Sequence, residues 1–90
     1  MTSYSLGQGD YNTIMKYYQV EQKTYTGEWE VLSRNYEDTF ESYQKAFSVA
    51  HWYSAPELFD DGKVLPIRIL TLEPDRYGEL YVVEREDYED

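Results

Sequence analysis

The rhythm of apolar and polar residues changes twice along the chain. Over residues 16–24, K-Y-Y-Q-V-E-Q-K-T, Tyr18 and Val20 alternate with Gln19, Glu21 and Lys23. That is the spacing of a half-buried β-strand. Tyr25-Thr26-Gly27 supplies a turn, with Gly27 free to take a positive φ. A second strand follows at 28–34, where Trp29, Val31 and Ser33 share one face and Glu28, Glu30, Leu32 and Arg34 the other. Trp29 and Val31 are the expected core residues of this strand.

The rhythm then becomes helical, and residues 38–54 are the only stretch that reads clearly as an amphipathic helix. Phe40, Tyr43, Ala46, Phe47, Ala50 and Tyr53 fall in one arc of a helical wheel. Asp38 suits the N-cap and Glu41, three residues on, the capping-box position. Pro56 cannot continue the helix. Trp52 projects away from the apolar arc, and the expectation is that Leu58 or Phe59 folds back over it. The alternative is an exposed anchor for a partner.

Alternation resumes after a loop at 57–63 that turns on Asp60-Asp61-Gly62. A third strand is expected at 64–72, with Leu65, Ile67 and Ile69 on one face and Arg68, Leu70 and Leu72 on the other. Pro66 marks a strand start, edge or bulge. After a turn at 74–78, a fourth strand at 79–86 sets Leu80 and Val82 against Tyr81, Val83 and Arg85.

These elements predict an α+β fold in ββαββ order: a four-stranded antiparallel sheet with one helix packed on one face. The expected core joins Phe40, Tyr43, Phe47 and Ala50 to Tyr18, Val20, Trp29, Val31, Ile67, Ile69, Leu80 and Val82. One helix cannot cover both faces of the sheet. The other face is then expected to show Tyr17, Leu32, Leu70, Tyr81 and Val83, which suggests a homodimer or another partner. Residues 1–13, with Gly7, Gly9, Asp10 and Asn12, read as a flexible N-terminal arm, 14–86 as one domain and 87–90 as an acidic tail.

Composition changes the picture mainly through charge. Eighteen Asp and Glu against eight Lys and Arg give a net charge of −10 over 90 residues. Such a chain repels nucleic-acid phosphates and attracts basic surfaces. High net charge also serves solubility alone. Eleven Tyr against three Phe favour half-wet and interface positions, because a Tyr ring has a dry body and a polar tip. With no cysteine, thiolate chemistry, disulfides and Cys-based zinc sites are excluded. No apolar run approaches the length of a membrane span, and the first residues lack the basic and apolar regions of a signal peptide. The expected location is the cytoplasm.

Catalytic chemistry finds little support. His51 is the only imidazole, so a His-rich metal site is excluded. No nucleophile elbow, calcium-loop spacing or phosphate-binding loop is present. Adjacent carboxylates such as Asp60-Asp61 and Glu86-Asp87 are expected in so acidic a chain. The expectation is a protein that is not an enzyme, with no cofactor, no metal and no direct nucleic-acid binding.

Protein recognition remains. Acids interleaved with tyrosines recur at Tyr36-Glu37-Asp38 and over 84–90, E-R-E-D-Y-E-D, where five of seven residues are acidic. The tripeptide Tyr-Glu-Asp occurs at both Tyr36 and Tyr88, which its acidity makes a coincidence. In size, charge and these patches the chain resembles the small acidic, cysteine-free inhibitors that bacteriophages make, including DNA mimics of the anti-restriction and anti-CRISPR kind. The resemblance implies an inhibitor acting in the host cytoplasm on a basic, nucleic-acid-binding protein surface. The candidate partner-binding residues are Tyr36, Glu37, Asp38, Trp52, Asp60, Asp61, Tyr81, Glu84, Glu86, Asp87, Tyr88, Glu89 and Asp90. The competing reading is a small-ligand-binding or dimeric structural domain that uses the uncovered sheet face.

Overall fold

Alternation at Tyr18 and Val20 produces strand β1 (Tyr17–Lys23) in the computed structural model, which describes residues 15–89. The arm read at 1–13 lies outside the described residues. A turn in which Gly27 takes φ 92° leads into β2 (Trp29–Leu32). The chain then passes through helix α1 (Tyr43–Tyr53) and a single 3-10 turn, Pro56–Leu58. It continues into β3 (Ile67–Pro74) and β4 (Leu80–Asp87). The fold is α+β in ββαββ order. All neighbours in the sheet are antiparallel, in the order β2-β1-β3-β4.

Helix α1 packs over β1 and β3. Val20, Leu32, Phe40, Ala46, Val49, Ala50, Ile67 and Ile69 form the buried core, with Tyr18, Tyr53 and Tyr88 packed at its margin. Burying a Val, Ile or Phe side chain contributes about 1.5–3 kcal/mol. Ala46 and Ala50 let the helix axis come close to the sheet, and Val49 is buried on the same face.

The helix starts five residues later than the pattern at 38–54 predicts. Phe40 is buried, but from an extended segment: its N–H donates to Tyr18 O (2.8 Å) and its carbonyl accepts from Tyr18 N (2.7 Å). A residue committed to a β-bridge cannot also be helical. The N-cap is therefore Ser42, whose Oγ accepts from Lys45 N at 3.3 Å, in place of Asp38 with Glu41. Tyr43 and Phe47 are 39% and 41% exposed. They sit at the edge of the arc, beyond the small residues that touch the sheet.

Two strands present the opposite face from the one their apolar residues suggest. In β2, Val20 pairs with Leu32 and Glu21 with Val31. Leu32 thus enters the core, while Trp29 and Val31 lie on the far side. In β4, Ile69 pairs with Glu86 and Thr71 with Glu84, but Leu72 pairs with Val82. Val83 is the extra residue of a β-bulge, which breaks the alternation. Leu80 and Val82 consequently lie opposite the core, and Tyr81 lies on the helix side with Glu84 and Glu86. The far face therefore holds Tyr17 and Leu70 as expected, but neither Leu32 nor Tyr81.

Candidate functional site

Register sorts the charges of the sheet by face. Within the strands of the described residues, the helix side carries four carboxylates, Glu30, Glu73, Glu84 and Glu86, and no cation. The far side carries three cations, Lys23, Arg68 and Arg85, against two carboxylates, Glu21 and Asp87. Lys16 precedes β1 and stands outside this comparison. Strand geometry is the cause: residues two apart share a face, and the bulge at Val83 turns Glu84 and Glu86 toward the helix.

Beside those two carboxylates runs a line of aromatic rings that links the sheet margin to the helix. Tyr18 meets Tyr43 edge-on at 5.7 Å between centroids, Tyr43 meets Phe47 at 6.2 Å, and Phe47 meets Tyr88 at 5.1 Å. These separations suit favourable quadrupole contacts. Tyr43 Oη donates to Glu86 Oε1 at 2.8 Å. That hydrogen bond, burial and the negative charge of Glu86 raise the Tyr43 phenol above its usual 10.0. Tyr88 Oη and His51 Nδ1 lie 3.0 Å apart, and Tyr88 N donates to Ile67 O at 2.8 Å. Tyr88 therefore docks against the body, and Asp87 ends β4 rather than opening a tail.

A second cluster lies on the other flank of α1. After Leu32 the chain leaves the sheet, folds through residues 33–39, and rejoins β1 at Phe40. At the tip, Arg34 and Glu37 exchange two backbone hydrogen bonds of 2.8 and 3.0 Å. The residues between them, Asn35 and Tyr36, have φ of 55° and 67°. This is a type I′ arrangement, where Gly is usual at the second central position. Tyr36 is fully exposed there. The loop leans on the helix: Lys45 Nζ meets Glu37 Oε1 at 3.1 Å, and Tyr53 Oη donates to Ser33 O at 3.0 Å. Trp52 is 57% exposed. The turn at 56–59 therefore does not bury it, and the Arg34 guanidinium sits over its ring at 4.8 Å.

The structure thus groups Glu84, Glu86, Tyr88 and Tyr81 on one side of the sheet, and Tyr36, Glu37 and Trp52 beside the opposite flank of the helix. Asp38 follows the second group along the chain. Asp60 and Asp61 stand apart in the turn closed by Gly62, where Asp61 Oδ1 accepts from Lys63 N at 2.9 Å. Asp87 is on the far face, Glu89 lies beyond β4, and Asp90 lies outside the described residues. Tyr43, Phe47 and Glu73 belong to the acidic face but are missing from the sequence-based candidates. A helix-arc Tyr spends its ring on contacts and leaves its hydroxyl at the surface, and that polar tip was the available signal for Tyr43.

Concavities near these groups are modest. Ser54, Val64, Ile67 and Tyr88 line one of about 220 Å³, and Arg34, Asn35, Phe40, Lys45, Ser48 and Val49 one of about 210 Å³. Both fall below the roughly 300–1,000 Å³ usual for small-molecule sites. A larger notch of about 480 Å³ is lined, among the described residues, by the polar Glu37, Thr39, Glu41, Ser42 and Lys45. Among the described residues, no cluster of three or more His, Asp or Glu is placed to hold a metal ion. Nor is any helix among them long and apolar enough to cross a membrane.

No protein-family model, no curated protein and no solved structure matches this chain.

Proposed function

We propose that the chain is a non-enzymatic interaction module that occupies a basic, nucleic-acid-binding protein surface through its acidic, tyrosine-bearing face. The inhibitor role, the mimicry of DNA and the phage origin with action in the host cytoplasm are parts of the same proposal. One observation carries it: Glu73, Glu84 and Glu86 share a sheet face that has no strand-borne cation, and Tyr43, Tyr81 and Tyr88 stand among them. Glu84 and Glu86 are two residues apart on a strand, about 6.8 Å. That interval is comparable to the one between successive phosphates of a nucleic-acid strand. Tyr43 and Tyr88 are already held by Glu86 and His51, so little side-chain entropy is lost when a partner arrives. Direct nucleic-acid binding is disfavoured by the same negative field.

Capture from a cell lysate at low and high salt tests the reading, with two variants of equal net charge. Glu84→Lys with Glu86→Lys is expected to weaken capture of basic, nucleic-acid-binding proteins at least about tenfold. Asp60→Lys with Asp61→Lys is expected to leave it nearly unchanged. Equal losses in both variants would reduce the effect to bulk charge, and no loss in either would remove the acidic face from the mechanism.

A further inference from the structure

We propose that the open edge of β4 accepts an extended, basic segment of the partner as an added antiparallel strand. Strand addition rests on the preceding reading, that the acidic face meets a basic surface, and gives the form of that surface at the point of contact. The two edges of the sheet are unlike. β2 has four residues, Trp29–Leu32, and runs into the loop that leans on the helix. β4 has eight, Leu80–Asp87, seven of them exposed, and among the described residues it pairs with β3 alone. Long edges are ordinarily blunted by Pro, by Lys or by a covering element, and β4 contains neither Pro nor Lys.

Backbone hydrogen bonds show which groups of that edge are uncommitted. Antiparallel residues alternate between facing one neighbouring strand and facing the other. Lys23 N donates to Pro66 O at 2.8 Å, which gives the backbone groups of Arg68 and Leu70 to β1. Those of Ile67, Ile69 and Thr71 therefore face β4, and Tyr88 N accordingly donates to Ile67 O at 2.8 Å. Ile69 is opposite Glu86 and Thr71 opposite Glu84, so the backbone of both glutamates faces β3. The N–H and C=O groups of Arg85 and Asp87 point out of the sheet and bond to no other element among the described residues. Beyond the bulge at Val83, residues 84–87 keep a regular register, so this stretch can extend the ladder.

Side chains select the occupant. Glu84 and Glu86 flank the edge on the helix side, with Tyr81 on the same side beyond the bulge. Residues directly opposite on an added strand share a face and lie about 4.5–5.5 Å apart. A second copy of β4 paired over residues 84–87 would set Glu84 of one chain against Glu86 of the other, and is repelled. A strand with Lys or Arg at alternate positions instead places a cation against each glutamate. A further cation at the same spacing reaches the ring of Tyr81. Main-chain bonds to Arg85 and Asp87 then supply affinity, and alternate side chains supply specificity.

The test is a nuclear magnetic resonance titration of the full chain, at low salt, with an acetylated and amidated heptapeptide in which Lys and Thr alternate. Binding is expected to slow hydrogen exchange at the Arg85 and Asp87 amides. In the added strand Lys stands opposite Glu84 and Glu86, and Thr opposite Arg85 and Asp87. The Thr N–H groups therefore point at β4 and the Lys N–H groups point away. N-methylation of every Thr is expected to weaken binding about tenfold or more, and N-methylation of every Lys to change it little. Any other order of the two methylated peptides would overturn strand addition. In that case a tenfold loss of the unmethylated peptide in Glu84→Gln with Glu86→Gln would leave the acidic face standing, and no loss would remove both. Failure of the unmethylated peptide to bind would also overturn strand addition, and the lysate capture described above then decides the acidic face on its own.

Discussion

The two faces of the sheet are built from the same strands, residue by residue in alternation, yet they differ in kind. The helix side has a dry core under α1 and, beyond the helix, an open margin where Glu73, Tyr81, Glu84 and Glu86 meet solvent. The far side has a buried pair of leucines framed by Arg68, Trp29, Glu21 and Arg85. A chain of net charge −10 is thus not uniformly acidic. Alternation concentrates carboxylates on one face and leaves the other close to neutral. The difference is one of electrostatic field: carboxylates two residues apart reinforce each other on the first face, while cations offset carboxylates on the second.

The largest effect expected is on the helix side. Phe40→Ala removes a ring that is only 1% exposed and whose backbone anchors the loop to β1. The expected loss is about 3–5 kcal/mol, read by urea unfolding. An effect below about 1 kcal/mol would mean that the ring is not the main link between the 33–39 loop and the core.

On the far side the corresponding anchor is polar. Glu21→Gln strips the charge from the part-buried Glu21–Arg68 pair, whose side chains are 15% and 22% exposed. An expected loss of about 1–2 kcal/mol follows from weakening charge-assisted hydrogen bonds. A loss comparable to that of Phe40→Ala would show that the two faces are held with equal strength.

A third substitution should stabilise the protein. Tyr36 occupies a left-handed position that costs an L-residue roughly 1–2 kcal/mol, and its fully exposed side chain recovers little of that cost. Tyr36→Gly is expected to raise unfolding stability by about 1 kcal/mol. Unchanged or lowered stability would mean that the ring has a structural role in the folded chain.

The smallest effect concerns the tether across the acidic margin. The raised Tyr43 phenol favours the protonated form in the folded state. Its contribution to stability is fully present below about pH 10, the unfolded value, and is lost as pH rises through the higher folded value. Tyr43→Phe should remove this component of the alkaline stability profile, read by urea unfolding at rising pH. If the wild-type and Tyr43→Phe profiles coincide, the Tyr43–Glu86 hydrogen bond does not form in solution.

How much of this was legible in the sequence varies by element. Alternation at Tyr18–Val20 and at Ile67–Ile69 correctly marks core strands, because both belong to the sheet's central pair, β1 and β3. It misleads in β2 and β4, the edge strands. There a bulky apolar residue is free to sit on either face, and Trp29 earns its burial by stacking under Arg68 rather than by entering the core. Tyr81, Glu84, Glu86 and Tyr88 could be named as site candidates from their acid–tyrosine spacing. That Tyr81 and Glu84 share a face could not, because the bulge at Val83 leaves no clear local trace among Tyr81-Val82-Val83. Trp52 was legible as an outlier from the helical arc, but its partner Arg34, eighteen residues away in the chain, was not.

By itself the sequence determined the ββαββ order, the antiparallel sheet with one helix across it, and an acidic, tyrosine-rich surface, because periodicity and composition are local properties of a chain. Tertiary structure alone decided which face each charge occupies. Strand register is set by pairing across the sheet, and a single extra residue in an edge strand reverses the side to which its carboxylates point.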